Sequence, residues 1–223
     1  MPYPASFSSS TFTPDNLVAG PANLMSRKVT ILAGQPIVRG HVLGKISIGA
    51  ATAAAKSGGN AANTGALTMD ATTPVLAGAQ VGVYTVRCIA AATNSGTFLV
   101  IGPDGRSLGQ VLVGATFANQ IKFSIADSTQ DFIVGEGFDI TVAAGSGKYI
   151  PSLAAAVDGS QTPDLIASEA VDATLADKEL IAFYQGDFNE SGLTIGTGHT
   201  AASIREGLRV KGINLVPTGT IAY

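Results

Sequence analysis

Six short apolar or alternating runs, Leu67–Met69, Gly82–Ala90, Gly96–Ile101, Leu108–Val113, Ile121–Ile125 and Gly137–Val142, follow one another along the chain. Turn-forming residues separate them: Asn94-Ser95-Gly96, Pro103-Asp104-Gly105, Asp127-Ser128 and Gly135-Glu136-Gly137. Runs this short leave no room for the long helices of a bundle or for the crossover helices of a parallel sheet. They predict an antiparallel sandwich or small barrel. Pro103-Asp104-Gly105 reads as a hairpin turn, because Pro presets φ and Gly supplies the left-handed residue. Cys88, the single cysteine, falls within the alternating Val83–Ile89 run, which predicts a buried strand thiol.

Two stretches of small residues flank this pattern. Residues 49–65 (Gly, Ala, Ser, Thr and Asn around one Lys) and Ala143-Ala-Gly-Ser-Gly147 have no periodicity and read as linkers. They imply that 57–147 is an inserted β domain, sandwich-like or barrel-like, within a discontinuous base of 27–56 and 148–223. Charge agrees with that division. Six of the sixteen acids and three of the thirteen bases fall in 57–147, leaving ten of each elsewhere, so the net charge of −3 belongs to the insert.

The base also reads as mainly β. Lys28–Leu32 leads through Ala33-Gly-Gln-Pro36 into Ile37–Ile46, where Gly40 and Gly44 within an apolar run predict a tight bend or bulge. His41 lies there alone and reads as a packed or edge residue. Ala201–Lys211 is the one expected helix: Ile204 and Leu208 share a face, Thr200 can cap the start and Gly212 suits the stop. Ile213–Val216 closes the chain as a strand. Residues 1–26 read instead as an extended arm, since Pro2, Pro4, Pro14 and Pro21 among Ser and Thr residues build no core. Its anchors are Tyr3, Phe7 and Phe12, the candidate partner-binding residues of the chain.

Catalytic chemistry finds few residues to work with. Charged residues are only 13% and the pI is near 5.3, so there is no basic field for nucleic-acid phosphates. No run reaches the roughly 18 apolar residues of a membrane span, and the first residues lack the basic and apolar regions of a secretory signal. A soluble protein folding in the cytoplasm is expected. Gly145-Ser-Gly-Lys148 lacks the earlier glycine of a phosphate loop and runs into Pro151. Asp127, Asp131, Glu136 and Asp139 lack the alternation of a calcium loop and read as solvated turn acids. Lys178 and Glu179 read as a polar turn, Asp187 and Glu190 as a surface loop. No catalytic, cofactor or metal residue is expected, and no cofactor.

Five segments outside the insert, in order, carry a resemblance: Thr30–Ile46, Asp158–Ala167, Val171–Lys178, Gly186–Glu190 and Ile204–Leu215. They resemble lambda-type bacteriophage head decoration proteins. The resemblance implies a small β-rich base that forms a homotrimer on the exterior of an icosahedral head and cements neighbouring subunits of the major capsid protein. It implies no enzyme activity, no membrane and no direct nucleic-acid contact. The arm fits such a partner, because an extended terminus can add to a capsid strand edge. The insert resembles a β module of other phage head proteins. One alternative is a virion-surface module that binds a carbohydrate or host receptor through the insert, where Tyr84 or Phe117 would present a ring. Another is an enzyme on a β-clip-like core, which Ala33–Gly40 also resembles, although no convergent acid and base accompany it.

Overall fold

A computed structural model describes residues 16–19, 23–61 and 65–217. Its strands run in order β1 (Met25–Ile31), β2 (Gln35–Ile37), β3 (Val42–Lys45), β4 (Ile48–Ala55), β5 (Ala66–Met69), β6 (Gly82–Ala92) and β7 (Ser95–Ile101). They continue with β8 (Ser107–Leu112), β9 (Thr116–Asn119), β10 (Ile121–Ala126), β11 (Gly137–Ala144) and β12 (Tyr149–Pro151). The last are β13 (Pro163–Ala167), β14 (Val171–Ala173), β15 (Lys178–Asn189) and, after helix α1 (Ala201–Val210), β16 (Ile213–Val216). The architecture is mainly β, with α1 the one α-helix among the described residues.

β1, β12, β3, β13 and β15 pair in that order, and β15 returns to β1, closing a five-stranded barrel; β16 adds to β15 in parallel. β3 and β13 are apolar without alternation because both of their faces are covered. Leu43 and Leu165 point into the barrel with Ile31, Tyr149 and Leu180. Their neighbours Val42 and Ile166 point outward, under Ile204 and Leu208 of α1 and beside Phe188 and Ile213. The helix is therefore the lid on that outer face. Its start is a capping box, with the Thr200 hydroxyl accepting from Ser203 N–H and Ser203 reaching back.

The two glycines of the Ile37–Ile46 run have different reasons. Gly40 turns the chain at φ +85°, in the left-handed region. Gly44 is extended, but a Cβ there would meet the Ser160 carbonyl oxygen at 1.8 Å, so the 158–162 turn lies directly on the strand. The bulge falls on the partner strand, between Pro163 and Leu165 opposite Gly44.

The second core lies between two sheets, β4-β11-β6-β7-β8 and β5-β10-β9. Tyr84, Val86, Phe98, Ile121, Phe123 and Ile140 fill it, and Phe98, Phe132 and Phe138 form an aromatic cluster with centroids 5.0–6.3 Å apart. Pro103-Asp104-Gly105 makes the β7–β8 hairpin.

Several expectations need correction. The first half of the supposed linker 49–65 is strand β4, paired with β11 so that Ala51, Ala53 and Ala55 face Val142, Ile140 and Phe138 across the ladder. Alanine is equally at home on both faces, so a run of it carries no period-2 signal. The second linker also begins inside a strand, since β11 reaches Ala144. β9 escaped the sequence because four residues with one inward side chain, Phe117, leave almost no pattern. Lys178 and Glu179 open β15 rather than a turn, and Asp187 lies within it. Glu136 is buried, not solvated: its carboxylate accepts from Ile133 N–H at 3.1 Å, while Asp139 lies in β11 paired to Arg87 at 2.5 Å. Cys88 is the buried strand thiol expected, and burial pushes its pKa up.

Candidate functional site

Tyr3, Phe7 and Phe12, the sequence's candidate binding residues, lie outside the described residues. What the structure describes is where that segment joins the base. Leu17 is buried, 2% exposed, among Val42, Phe188 and Ile204. Asn189 N–H donates to Leu17 O and Ala19 N–H to Asp187 O, both at 2.9 Å. The Asn189 amide donates to Asn16 O at 2.7 Å. Gly192, which ends a single 3₁₀ turn (Glu190–Gly192), permits this approach, because a Cβ there would sit 2.8 Å from Asn16 O. Residues 16–19 are thus held beside the end of β15 through a single antiparallel bridge between Val18 and Phe188. Sequence reasoning placed them in the arm, because Leu17-Val18-Ala19 is too short an apolar run, between Pro14 and Pro21, to signal burial.

The chain then re-enters at Leu24 and Met25 alongside the same strand. Leu24 covers Gly186, and the Tyr184 hydroxyl donates to the Met25 sulfur at 3.3 Å. Leu24, Met25 and Tyr184 are each exposed and make a small apolar strip next to the root of the arm. Both acids at the root have partners. Glu190 pairs with Arg205 of α1, and Asp187 accepts from the Asn214 amide at 2.8 Å.

A polar hub ties the opposite side of the barrel together. Asp164 accepts from Lys211 at 2.8 Å and from the Tyr149 hydroxyl at 2.8 Å, with Arg27 at 3.2 Å; Arg27 also donates to the Tyr149 oxygen at 2.7 Å. Burial alone would raise the Asp164 pKa, but the hydrogen bonds from Lys211 and Tyr149 and the charges of Lys211 and Arg27 outweigh it, and the net shift is downward. Burial and the adjoining Asp164 push Tyr149 up to about 12. These shifts belong to a structural ion-pair network that links β1, β12, β13 and the end of α1.

The remaining reactive side chains are likewise engaged in structure. His41 accepts from Val38 N–H through Nδ1 at 3.1 Å, and burial lowers its pKa. His199 Nε2 lies 3.3 Å from the Ser152 hydroxyl, which donates to Ser160 O, so neither is paired with Cys88. No group of three or more His, Cys, Asp or Glu among the described residues is placed to hold a metal. Tyr84 and Phe117, the rings available to a carbohydrate, are both buried, and the Tyr84 hydroxyl donates to Gln120.

The family model described as bacteriophage lambda head decoration protein D aligns with residues 6–210. That span runs through the insert as well as the base. No curated protein and no solved structure matches the chain.

Proposed function

The chain belongs to the bacteriophage lambda head decoration protein D family, non-enzymatic proteins that stabilise the phage capsid from its exterior, and we propose that it does so as a homotrimer whose N-terminal arms carry the capsid contact. The observation behind this reading is the fixed root of the arm. Leu17 is buried against Phe188 and residues 16–19 are held to the base by three hydrogen bonds at Asn16 O, Leu17 O and Ala19 N–H, so the anchors Tyr3, Phe7 and Phe12 precede a fixed point on the base. Each Phe buried against a capsid subunit is worth roughly 1.5–3 kcal/mol. Three arms on one trimer gain further through effective concentration.

Support for the trimer comes from the resemblance and from apolar side chains that the base leaves in water. Leu175 is 96% exposed and Val210 81%, on a unit small enough to profit from association. In the same reading the insert is an independently folding unit. Its bounds in this reading move from 57–147 to 48–144, because β4 pairs with β11 and packs Ile48, Ala51 and Ala53 on the sandwich core. That core and the barrel core share no side chain, and across the seam Gly145 N–H donates to Ser47 O at 2.9 Å and Ile48 N–H to Asp158 O at 2.8 Å.

The test is competition for expanded heads between the full chain and a chain starting at Asn16. Loss of the three anchors is expected to weaken binding at least tenfold. Equal occupancy would remove the arm from the capsid contact. Sedimentation at micromolar concentration reads the oligomer, and monomers alone, both free and eluted from heads, would exclude the trimer.

A further inference from the structure

A cleft of ≈ 380 Å³ lies where the insert meets the base. Lys45, Ser47, Gln161, Thr162, Asp164 and Lys211 line it from the base side, and the 76–79 turn closes it from the insert with Gly78 and Ala79. Its polar groups are unequally occupied. Asp164, the one carboxylate of the lining, already accepts from Lys211 and Tyr149 and faces Arg27. The donors are not so used. The Lys45 ammonium and the Ser47 and Thr162 hydroxyls have no partner among the described residues. The Gln161 Oε1 is taken by Gly159 N–H at 2.8 Å, which leaves its NH₂ group to donate.

The wall that carries these donors is rigid. The Asp158 carbonyl accepts from Ser47 and Ile48 N–H, both at 2.8 Å, and the Asp158 carboxylate accepts from Ser160 N–H and hydroxyl at 3.0 and 2.6 Å. A preorganised cleft with spare donors, an unpaired Lys45 ammonium and one carboxylate already satisfied by Lys211, which also donates to Pro163 O, calls for an acceptor of negative charge. We propose that this cleft binds a carboxylate, with Lys45 as its principal charge partner and the Ser47, Thr162 and Gln161 donors orienting it. The carboxylate comes either from a free small carboxylic acid or from an acidic side chain of a capsid subunit. Because insert and base each supply a wall, the occupant would also fix one against the other.

Citrate, titrated into the ¹⁵N-labelled full chain at constant ionic strength, is the probe for the free source. Saturable shifts of the Gly78, Gly159 and Gln161 amides are expected, weakened about tenfold in Lys45→Gln and restored in Lys45→Arg. Lys56→Gln, outside the cleft, should leave them unchanged. Head competition by Lys45→Gln reads the other source: reduced occupancy, restored by Lys45→Arg, assigns the carboxylate to the capsid. Absence of citrate shifts together with unchanged occupancy overturns the site. The citrate arm does not depend on decoration, so failure of the unmodified chain to bind heads would count against that function and leave this test intact.

Discussion

The Tyr149 hydroxyl donates to Asp164 at 2.8 Å, and that one bond joins two barrel strands to the two cations that neutralise them. Arg27 reaches the pair from β1 and Lys211 from the C-cap of α1, so four elements meet at a single carboxylate.

Asp164→Asn keeps the shape and removes the charge. Leaving Lys211 and Arg27 without their counter-ion should cost about 1–3 kcal/mol at pH 7 by urea unfolding. The folded pKa of Asp164 lies below the unfolded one, so its contribution is present above about pH 4 and is lost as pH falls through the lowered value. The mutant and the unmodified chain should therefore converge as the pH falls through the lowered Asp164 value. Tyr149 has the opposite sign: its pKa is raised from 10.0 to about 12, so its contribution is present below pH 10 and disappears as pH climbs toward 12. A Tyr149→Phe chain should lose the alkaline part of the stability curve, and an unchanged curve would exclude the network as its source.

Gly44 and Gly207 make a paired test of backbone packing. Gly44→Ala drives a methyl into the Ser160 carbonyl and should lower Tm sharply or prevent folding. Gly207 lies in α1 with nothing within 4 Å of its missing Cβ, so Gly207→Ala should stabilise by about 0.8–1.0 kcal/mol. Thermal melts of the two variants should move in opposite directions.

Excision of the insert should leave the barrel intact. Ser47 and Gly145 are hydrogen-bonded neighbours, so joining them through a two- or three-residue Gly-Ser bridge closes a loop the native chain has already closed. A cooperative melt and retained barrel amide dispersion are expected. Aggregation of the shortened chain under all conditions would show that the barrel depends on the insert.

Leu17 separates the root of the arm from the arm. Leu17→Ala should cost about 2–5 kcal/mol, because a fully enclosed leucine leaves a cavity under Phe188 and Ile204. A chain starting at Asn16 should melt with the full-length protein, whereas one starting at residue 21 should melt lower. Equal melting of all three would place Leu17 outside the folding unit.

Sequence alone carried what rests on local chemistry. Alternation with a turn residue on either side was enough for β6, β7, β10 and β11, and Thr200, the Ile204 and Leu208 pair and Gly212 were enough for α1, because capping and turn geometry are decided within four residues. The ordered base segments likewise carried the family. Tertiary structure decided whatever depends on a distant partner. The alanines of β4 became a strand only against Phe138, Ile140 and Val142, Leu17 became core only beneath Phe188, and Glu136 is buried where its carboxylate meets the Ile133 N–H. Small or isolated side chains have no period of their own; their place is set by the surface they meet, and that surface exists only after long-range closure of the barrel and the sandwich.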